Sequence, residues 1–226
     1  KIKTQNRNYL AHEYFNRDWQ PMAFSEMAEW LSPAKLGYAC PAHHTDLVDA
    51  INLTKEWQAF MREIPEPMFR ETVRDFLVNQ QFRRDYWVKG PRRMSALEQI
   101  EALRALRVVL AVRREDINFK AKGALGEASL NEAIYAPIAD ALGDGKVHTI
   151  GEIEKSARGK NVAVAQIVES IVVLAGKGDV ALAQDKQEIA AAKPRCDAFN
   201  RSVMTRSRAG NQIQFLASPV KGCGVP

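Results

Sequence analysis

The stretch Pro67–Phe82 has the sequence PMFRETVRDFLVNQQF and carries the clearest secondary-structure signal in the chain. Pro67 suits the first turn of an α-helix, because the N–H that proline lacks would have no partner there. Apolar residues recur at the spacing of one helical face, which predicts a core-facing stripe of Phe69, Val73, Phe76 and Leu77. The charged residues fall on the other side and can pair along the helix: Arg70, Glu71, Arg74 and Asp75.

The sequence around this helix predicts further helices and short strands. Upstream, we expect helices over Arg7–Asn16, Ala23–Leu31 and Thr54–Arg62, N-caps at Ser25 and Thr54, and a strand over Leu36–Cys40. Downstream, we expect a strand at Tyr86–Val88, a helix opened by the Ser95–Glu98 capping-box pattern and ending near Leu103, and a strand over Arg107–Val112. The predicted fold class is α+β and mainly helical.

The C-terminal half shows a different order of elements. We predict helices over Asn131–Leu142, Ile150–Ala157 (capped by Thr149) and Val162–Ala175, then a strand over Asp179–Ala183, a helix over Pro194–Arg206 and a strand over Gln212–Ala217. A short helix, a longer helix, a glycine-rich turn and a strand form the order of a winged helix-turn-helix. We place the boundary so that residues 1–125 form one domain and residues 126–226 form a winged-helix-like domain.

Composition indicates an ordinary globular protein. The 226 residues include 32 Lys and Arg against 27 Asp and Glu, a net charge of +5. No apolar run approaches the length of a membrane span, and the N-terminus has no apolar signal region, so we expect a cytoplasmic protein without membrane contact. Three scattered cysteines do not form a disulfide framework. The sequence starts with Lys1 rather than Met, and we expect it to be part of a longer polypeptide.

Motifs for cofactor and metal binding are weak. The glycine pairs 143/145 and 176/178 follow predicted helices, and the pair 222/224 lies at the end of the sequence, so none opens a helix after a strand as a dinucleotide loop must. Cys40 and His43 have CxxH spacing, with His44 and Asp46 beside them, but a structural zinc site needs four ligands. A stand-alone enzyme with a site at Cys40, His44 and Asp46 is the third alternative that we carry.

A basic segment with aromatic residues, Arg83–Arg93, is the strongest feature for binding an acidic partner. Its five cations and two aromatic side chains could contact a phosphate backbone and stack on bases. A solvated face beside core aromatics is the other interpretation. The apolar helix predicted over Val162–Ala175 contains no Lys or Arg, and its polar stripe of Gln166, Glu169 and Ser170 includes an acid, which opposes DNA reading. A winged-helix nucleic-acid-binding protein is therefore the second function that we carry.

Two blocks of sequence, taken together, resemble the predicted methyltransferase regulatory domain. The first comprises Tyr9–Phe15, Trp19–Pro21, Phe24 and Leu36–Tyr38, and the second comprises Leu53, Thr54, Pro67–Asp85 and Val88–Gly90. The resemblance covers about residues 1–95 well. The remainder is similar more loosely to the C-terminal part of the same proteins, including the ending Ala217–Pro226.

The resemblance implies a non-catalytic module that lies C-terminal to a Rossmann-type domain in bacterial class I S-adenosylmethionine-dependent methyltransferases. Some relatives resemble protein-lysine methyltransferases that work as dimers. On this basis S-adenosylmethionine binds to the catalytic domain outside this sequence, and this chain holds no cofactor, metal or catalytic residue. The implied partners are that catalytic domain, in the same polypeptide or in trans, a protein or peptide substrate, and a second copy of the protein.

We expect the working surface to combine the outer face of the Pro67–Phe82 helix with the basic segment. The candidate interaction residues are Arg70, Arg74, Arg83, Arg84, Trp87, Lys89, Arg92 and Arg93. Their cations would pair with carboxylates of the catalytic domain or the substrate. The alternative is that the arginines pair internally with Glu71, Asp75 and Asp85.

Overall fold

The structure is a computed structural model that describes residues 5–15, 17–18, 20–157, 162–210 and 215–225. Trp19 of the first resemblance block and residues 212–214 of the last predicted strand lie outside the described residues. The N-terminal part consists of α1 (Arg7–Tyr14), α2 (Phe24–Leu31), β1 (Leu36–Pro41), α3 (Asp49–Asn52), α4 (Lys55–Glu63), α5 (Pro67–Val78) and β2 (Asp85–Lys89).

The rest of the chain continues the mixture of helices and short strands. Its elements are α6 (Ala96–Ala105), β3 (Arg107–Leu110), β4 (Lys120–Gly123), β5 (Gly126–Ser129), α7 (Glu132–Ala141), β6 (His148–Thr149), α8 (Ile150–Ala157), α9 (Val164–Lys177), β7 (Val180–Leu182), α10 (Lys186–Arg208), β8 (Leu216–Ser218) and β9 (Cys223–Val225). The fold is therefore a mainly helical α+β fold, as predicted. None of the described helices is both long and apolar enough to span a bilayer.

The strands form small antiparallel sheets. β1 pairs with β2 across three intervening helices, β4 with β5, and β8 with β9, while β3 lies between β6 and β7. The boundary predicted between residues 125 and 126 falls in the turn of the β4–β5 hairpin, and β3 joins its sheet to the C-terminal elements. The division into two domains and the winged-helix interpretation stay predictions.

The largest apolar core lies in the C-terminal part. Its fully buried side chains come from the central strand and the three helices packed on it: Val108, Ile138, Leu142, Ile150, Ile153, Ile167, Val173 and Leu174. A smaller core of Leu53, Met61 and Ile64 packs beneath α4 and α5, with Val73 and Leu77 against it. Helix α9 buries Ile167, Ile171, Val173 and Leu174 in this core. Ser170, which belongs to the predicted polar stripe of this helix, is buried as well.

The segment from Thr45 to Asn52 joins the two cores through close contacts. A Cβ at Gly176 of α9 would lie 2.5 Å from Thr45 Cγ2, and a Cβ at Gly123 of β4 would collide with the carbonyl group of Ile51. Only glycine lets these backbones approach so closely.

One predicted N-cap and one predicted helix start are wrong. Ser25 does not cap α2, because the helix begins one residue earlier and Glu26 accepts a hydrogen bond from the N–H of Ala23. The helix predicted to begin at Pro194 begins at Lys186, where the Asp185 side chain accepts hydrogen bonds from two backbone N–H groups. Pro194 lies inside α10. In both places an N-terminal carboxylate interaction sets the start of the helix.

Candidate functional site

An ion cluster forms where α5 meets β2, and Arg83 lies at its centre. The Arg83 guanidinium is 2.6 Å from Asp75, 2.9 Å from Asp85 and 3.0 Å from Glu71. It also donates to the hydroxyl oxygen of Tyr38 at 3.2 Å, and that hydroxyl donates to Glu71. The planar fork of arginine can serve several acceptors at once, so one cation holds three carboxylates from two elements.

An aromatic layer lies directly under this cluster. The rings of Tyr38 and Trp87, paired across β1 and β2, have centroids 5.6 Å apart, and Phe24 of α2 contacts both at 4.8 and 5.5 Å. The Arg83 guanidinium lies 4.3 Å from the centroid of the Phe24 ring. This cation–π contact adds to the ion pairs and ties α2, α5 and the β1–β2 ribbon together.

The surroundings shift the protonation of these groups. Burial raises the pKa of Asp75 above its ordinary value, although Arg83 acts in the opposite direction. Burial, followed by the charge of Glu71, raises the pKa of Tyr38. Burial acts to lower the pKa of Arg83, but hydrogen bonds to Asp85 and Glu71 raise it overall, so the guanidinium stays charged. The cluster thus combines one guanidinium that stays charged with three carboxyl groups.

The prediction of which face of α5 points inward is partly wrong. Phe69 and Phe76 are 55% and 80% exposed, whereas Thr72 and Arg74 are buried. Because the carboxylates of Glu71 and Asp75 must reach Arg83, the charged side of α5 faces the protein. Helical geometry then turns the two phenylalanines, seven residues apart on one side of the helix, toward solvent.

The structure separates the predicted interaction residues into two groups. Arg74 donates to the Asp46 carbonyl at 2.6 Å and lies 3.5 Å from Asp49, while Arg70 donates to the Ile64 carbonyl at 3.1 Å. With Arg83 and the half-buried Trp87, these side chains are held by internal contacts. For Arg83, internal pairing with all three carboxylates, which the sequence left open, is the arrangement found.

The second group of predicted interaction residues lies on the protein surface. Its members are exposed: Arg84, Lys89, Arg92 and Arg93. Arg92 is 3.5 Å from Glu98, which is also exposed, and the two form a weak surface pair. The aromatic side chains of Phe82 and Tyr86 are 77% and 60% exposed beside them. The surface therefore combines cations with apolar rings, as a protein-binding face does.

A cavity of about 650 Å³ opens beside the ion cluster. Phe24, Met27, Phe82 and Trp87 supply apolar walls, and Asp75 and Asp85 supply carboxylates. At the CxxH motif, His43 Nδ1 lies 2.8 Å from Thr45 Oγ1 and 3.3 Å from Asp46. Within the described ranges, no group of three or more His, Cys, Asp or Glu side chains is arranged to hold a metal ion.

Sequence reasoning missed the roles of Phe24 and Tyr38. Both occur in the blocks that carried the family resemblance, yet periodicity alone places them only on a helix and a strand. The alternation of Asp85 and Trp87 along β2 was the available signal, because it puts an acid and a ring on the same inner face of the strand.

One family model matches the N-terminal part of the chain. Residues 6–89 match the family model described as the predicted methyltransferase regulatory domain. The resemblance seen in the sequence is confirmed over this range. The matched range spans α1 to β2, so it contains both the ion cluster and the outer face of α5.

The relatives extend the likeness to the whole chain. The uncharacterized protein sll1526 of Synechocystis sp. (strain ATCC 27184 / PCC 6803 / Kazusa) is 39% identical over 225 residues, which is 100% of this chain and 44% of that protein. The structure of PKMT2 from Rickettsia typhi matches 100% of this chain and 49% of its own, with a TM-score of 0.58 and 14% identity. PKMT2 in complex with AdoHcy gives a TM-score of 0.54 at 14% identity, covering 100% of this chain and 48% of its own. The chain thus spans about half the length of the proteins it matches.

Proposed function

We propose that this chain is the non-catalytic regulatory and substrate-positioning module of a class I S-adenosylmethionine-dependent methyltransferase. The observation that carries the proposal is the match of residues 6–89 to the predicted methyltransferase regulatory domain. The fold shared with PKMT2 over the full chain supports it. Because the chain spans about half of these proteins, the catalytic Rossmann domain is expected in the other half.

The proposed mechanism is docking that favours one arrangement of the catalytic cleft. Phe69 and Phe76 would pack on the catalytic domain, and the cations of Arg84, Lys89, Arg92 and Arg93 would pair with its carboxylates or those of a substrate. A regulator changes activity only if it contacts the active and inactive arrangements differently. The internally bonded Arg70, Arg74 and Arg83 would hold this surface in shape.

The proposal assigns the cofactor and the substrate to other parts of the system. S-adenosylmethionine would bind the catalytic domain, and this chain would supply neither a cofactor loop nor a catalytic residue. A protein or peptide substrate, a homodimeric assembly and a cytoplasmic location complete the proposal. We also assign a winged-helix-like fold to the C-terminal part, supported by the order α7, β6, α8, α9 and β7 with β3 between the two strands.

Nucleic-acid binding is less well supported as the function. In a winged helix the reading helix must present cations or amides to the groove. The Lys of α9, Lys177, is 2.9 Å from Asp179 and also donates to the Asn118 carbonyl. The exposed polar positions along α9 include the acidic Glu169.

The test measures methyl transfer with and without this module. The catalytic half is assayed alone, after addition of this chain, and after addition of the Phe76→Asp variant. We expect the intact chain to change turnover by about tenfold and the variant to lose most of that effect. The control, Leu125→Asp, alters another exposed apolar residue, which lies in the β4–β5 turn. If the chain neither changes turnover nor docks on the catalytic half, the proposed function is excluded.

A further inference from the structure

Helix α9 carries two apolar faces. Ile167, Ile171 and Leu174 form one face, which is buried in the C-terminal core. Val164, Val168 and Val172 recur every four residues along a second side and are only half-buried, with Val168 and Val172 packed at the edge of the same core. An apolar stripe of a helix is normally covered by other elements. The second face of α9 therefore lacks part of its cover in this chain.

The uncovered face forms one wall of a groove. Ile100 and Leu103 of α6 also line this groove, together with Leu47 and Val48 of the segment that joins the two cores. The groove encloses about 620 Å³. Helix α6 has no fully buried residue, so its apolar side is also incompletely covered. Two helices that present apolar side chains to a shared groove form a seat for a third helix.

The charges around the groove have one sign. Asp49 and Glu169 are its charged residues, and the described lining contains no Lys or Arg. Glu169 is exposed, and Asp49 is 57% exposed with Arg74 3.5 Å away. A segment that seats here gains from a basic residue at its edge and is opposed by an acidic one.

We propose that this groove binds a basic amphipathic helix from the catalytic half of the methyltransferase. The proposal rests on the proposed function for the existence of that half. The curated relative has more than half of its length outside the region that this chain matches, which leaves ample chain to supply the helix. The apolar walls would take the apolar face of the helix, and Glu169 and Asp49 would take its cations.

The first experiment uses two designed peptide probes and the 226-residue chain. Each probe is a helical peptide of about 15 residues with leucine on one face, and the other positions are lysine in one probe and glutamate in the other. Fluorescence anisotropy reports binding. We expect the Leu/Lys probe to bind, and Ile100→Asp to weaken it by about tenfold or more. Glu169→Lys should weaken the Leu/Lys probe and strengthen the Leu/Glu probe.

Controls distinguish binding in the groove from nonspecific binding to apolar surface and from self-association of the chain. Leu125→Asp should leave probe binding unchanged, because Leu125 lies in the β4–β5 turn outside the groove. Circular dichroism confirms that each variant folds. Sedimentation should show that any self-association of the chain is unchanged by Ile100→Asp. A dimer that Ile100→Asp dissociates would show that a second copy fills the groove and would overturn the proposal.

The decisive comparison adds the complete methyltransferase. There the groove is already filled, so the Leu/Lys probe should not bind. No binding to the isolated chain, or equal binding to the chain and the complete enzyme, would overturn the proposal. Probe binding is measured without methyl transfer, so the two proposals can fail separately. If the probe does not bind but the chain still changes turnover, only the groove proposal is rejected. Normal probe binding with unaltered turnover rejects the regulatory function.

Discussion

Asn52 accepts a hydrogen bond through Oδ1 from the backbone N–H of Ala124, 72 residues further along, at 2.9 Å. Its Nδ2 donates to the carbonyls of Thr45 and Val48 at 2.7 and 2.9 Å. The side chain is buried, so one amide organises the 45–52 segment and fixes the β4–β5 hairpin to it. This contact joins the family-matched region to the rest of the fold.

Removal of this amide is expected to be costly. Asn52→Ala leaves the Ala124 N–H without its acceptor and removes one of the two hydrogen bonds that each of the Thr45 and Val48 carbonyls accepts, which should lower the free energy of unfolding by about 1–3 kcal/mol. Urea denaturation followed by circular dichroism measures the change. Gln187→Ala, which removes an exposed amide of α10, should change stability by less than about 0.5 kcal/mol. Equal effects of the two variants would contradict the role of Asn52.

Gly176 should not tolerate a side chain. Gly176→Ala places Cβ 2.5 Å from Thr45 Cγ2 and 3.0 Å from Thr45 N, so we expect a loss of about 1–3 kcal/mol. Thr45→Ser removes Cγ2 but keeps the hydroxyl that contacts His43, and should recover part of the loss in the double variant. Thermal denaturation of the four proteins of this cycle gives the coupling.

A second glycine serves as the control for that experiment. At Gly151 of α8, a Cβ would have no contact shorter than 3.4 Å. Gly151→Ala should therefore be neutral or stabilise the protein by up to about 1 kcal/mol, through better helix propensity. If Gly176→Ala and Gly151→Ala change stability equally, the close contact with Thr45 is not the cause of the loss in Gly176→Ala.

The Arg83 cluster predicts opposite behaviour of two neighbouring arginines. Arg83→Met leaves Glu71, Asp75 and Asp85 close together without their shared cation, and should cost about 3 kcal/mol or more in stability. Arg84→Ala removes an exposed side chain and should cost less than about 0.5 kcal/mol. Chemical denaturation of both variants tests the contrast. An Arg83→Met protein of unchanged stability would show that the cluster does not hold the fold.

Glu66 predicts a specific acid sensitivity of α5. As the N-cap, its carboxylate accepts hydrogen bonds from the N–H groups of Phe69 and Met68, which lower the pKa of Glu66. A carboxyl group whose pKa is lowered by folding stabilises the protein above its unfolded pKa, and this contribution is lost as the pH falls through the folded value. The advantage of the wild type over Glu66→Gln should therefore shrink between about pH 5 and pH 2.

Denaturation midpoints across this pH range measure that difference. Glu63→Gln removes an exposed carboxylate that caps no helix, and its difference from the wild type should change less with pH. A wild-type advantage over Glu66→Gln that stays constant down to the lowest pH would contradict the assigned capping role.

Short-range signals in the sequence predicted local structure well. Thr54 caps α4 and Ser95 with Glu98 forms a capping box at α6, both as predicted. These interactions join residues three positions apart, so the sequence contains both partners in one window. The hairpin that closes between Gly123 and Gly126 carried a similar local signal, and the predicted domain boundary falls inside it.

Contacts between residues that are distant in the sequence determine the features that the sequence did not predict. Periodicity grouped Phe69 with Phe76 and Glu71 with Asp75 correctly, but it does not state which side of a helix faces the protein. The position of Arg83 settles that choice. In the same way, the importance of Asn52 depends on a distant backbone N–H, and nothing in its neighbouring residues indicates it.

Helix α10 gives the molecule an uneven distribution of charge. Its 23 residues, about 35 Å of helix, include six basic and two acidic side chains, a net +4 against +5 for the whole chain. Among its described side chains only Val203 is fully buried, so most of this charge faces solvent. The chain therefore carries most of its net positive charge on α10. An acidic macromolecule would orient the approaching chain so that α10 makes the first contact. Added salt would screen this long-range steering before it weakens any short-range contact.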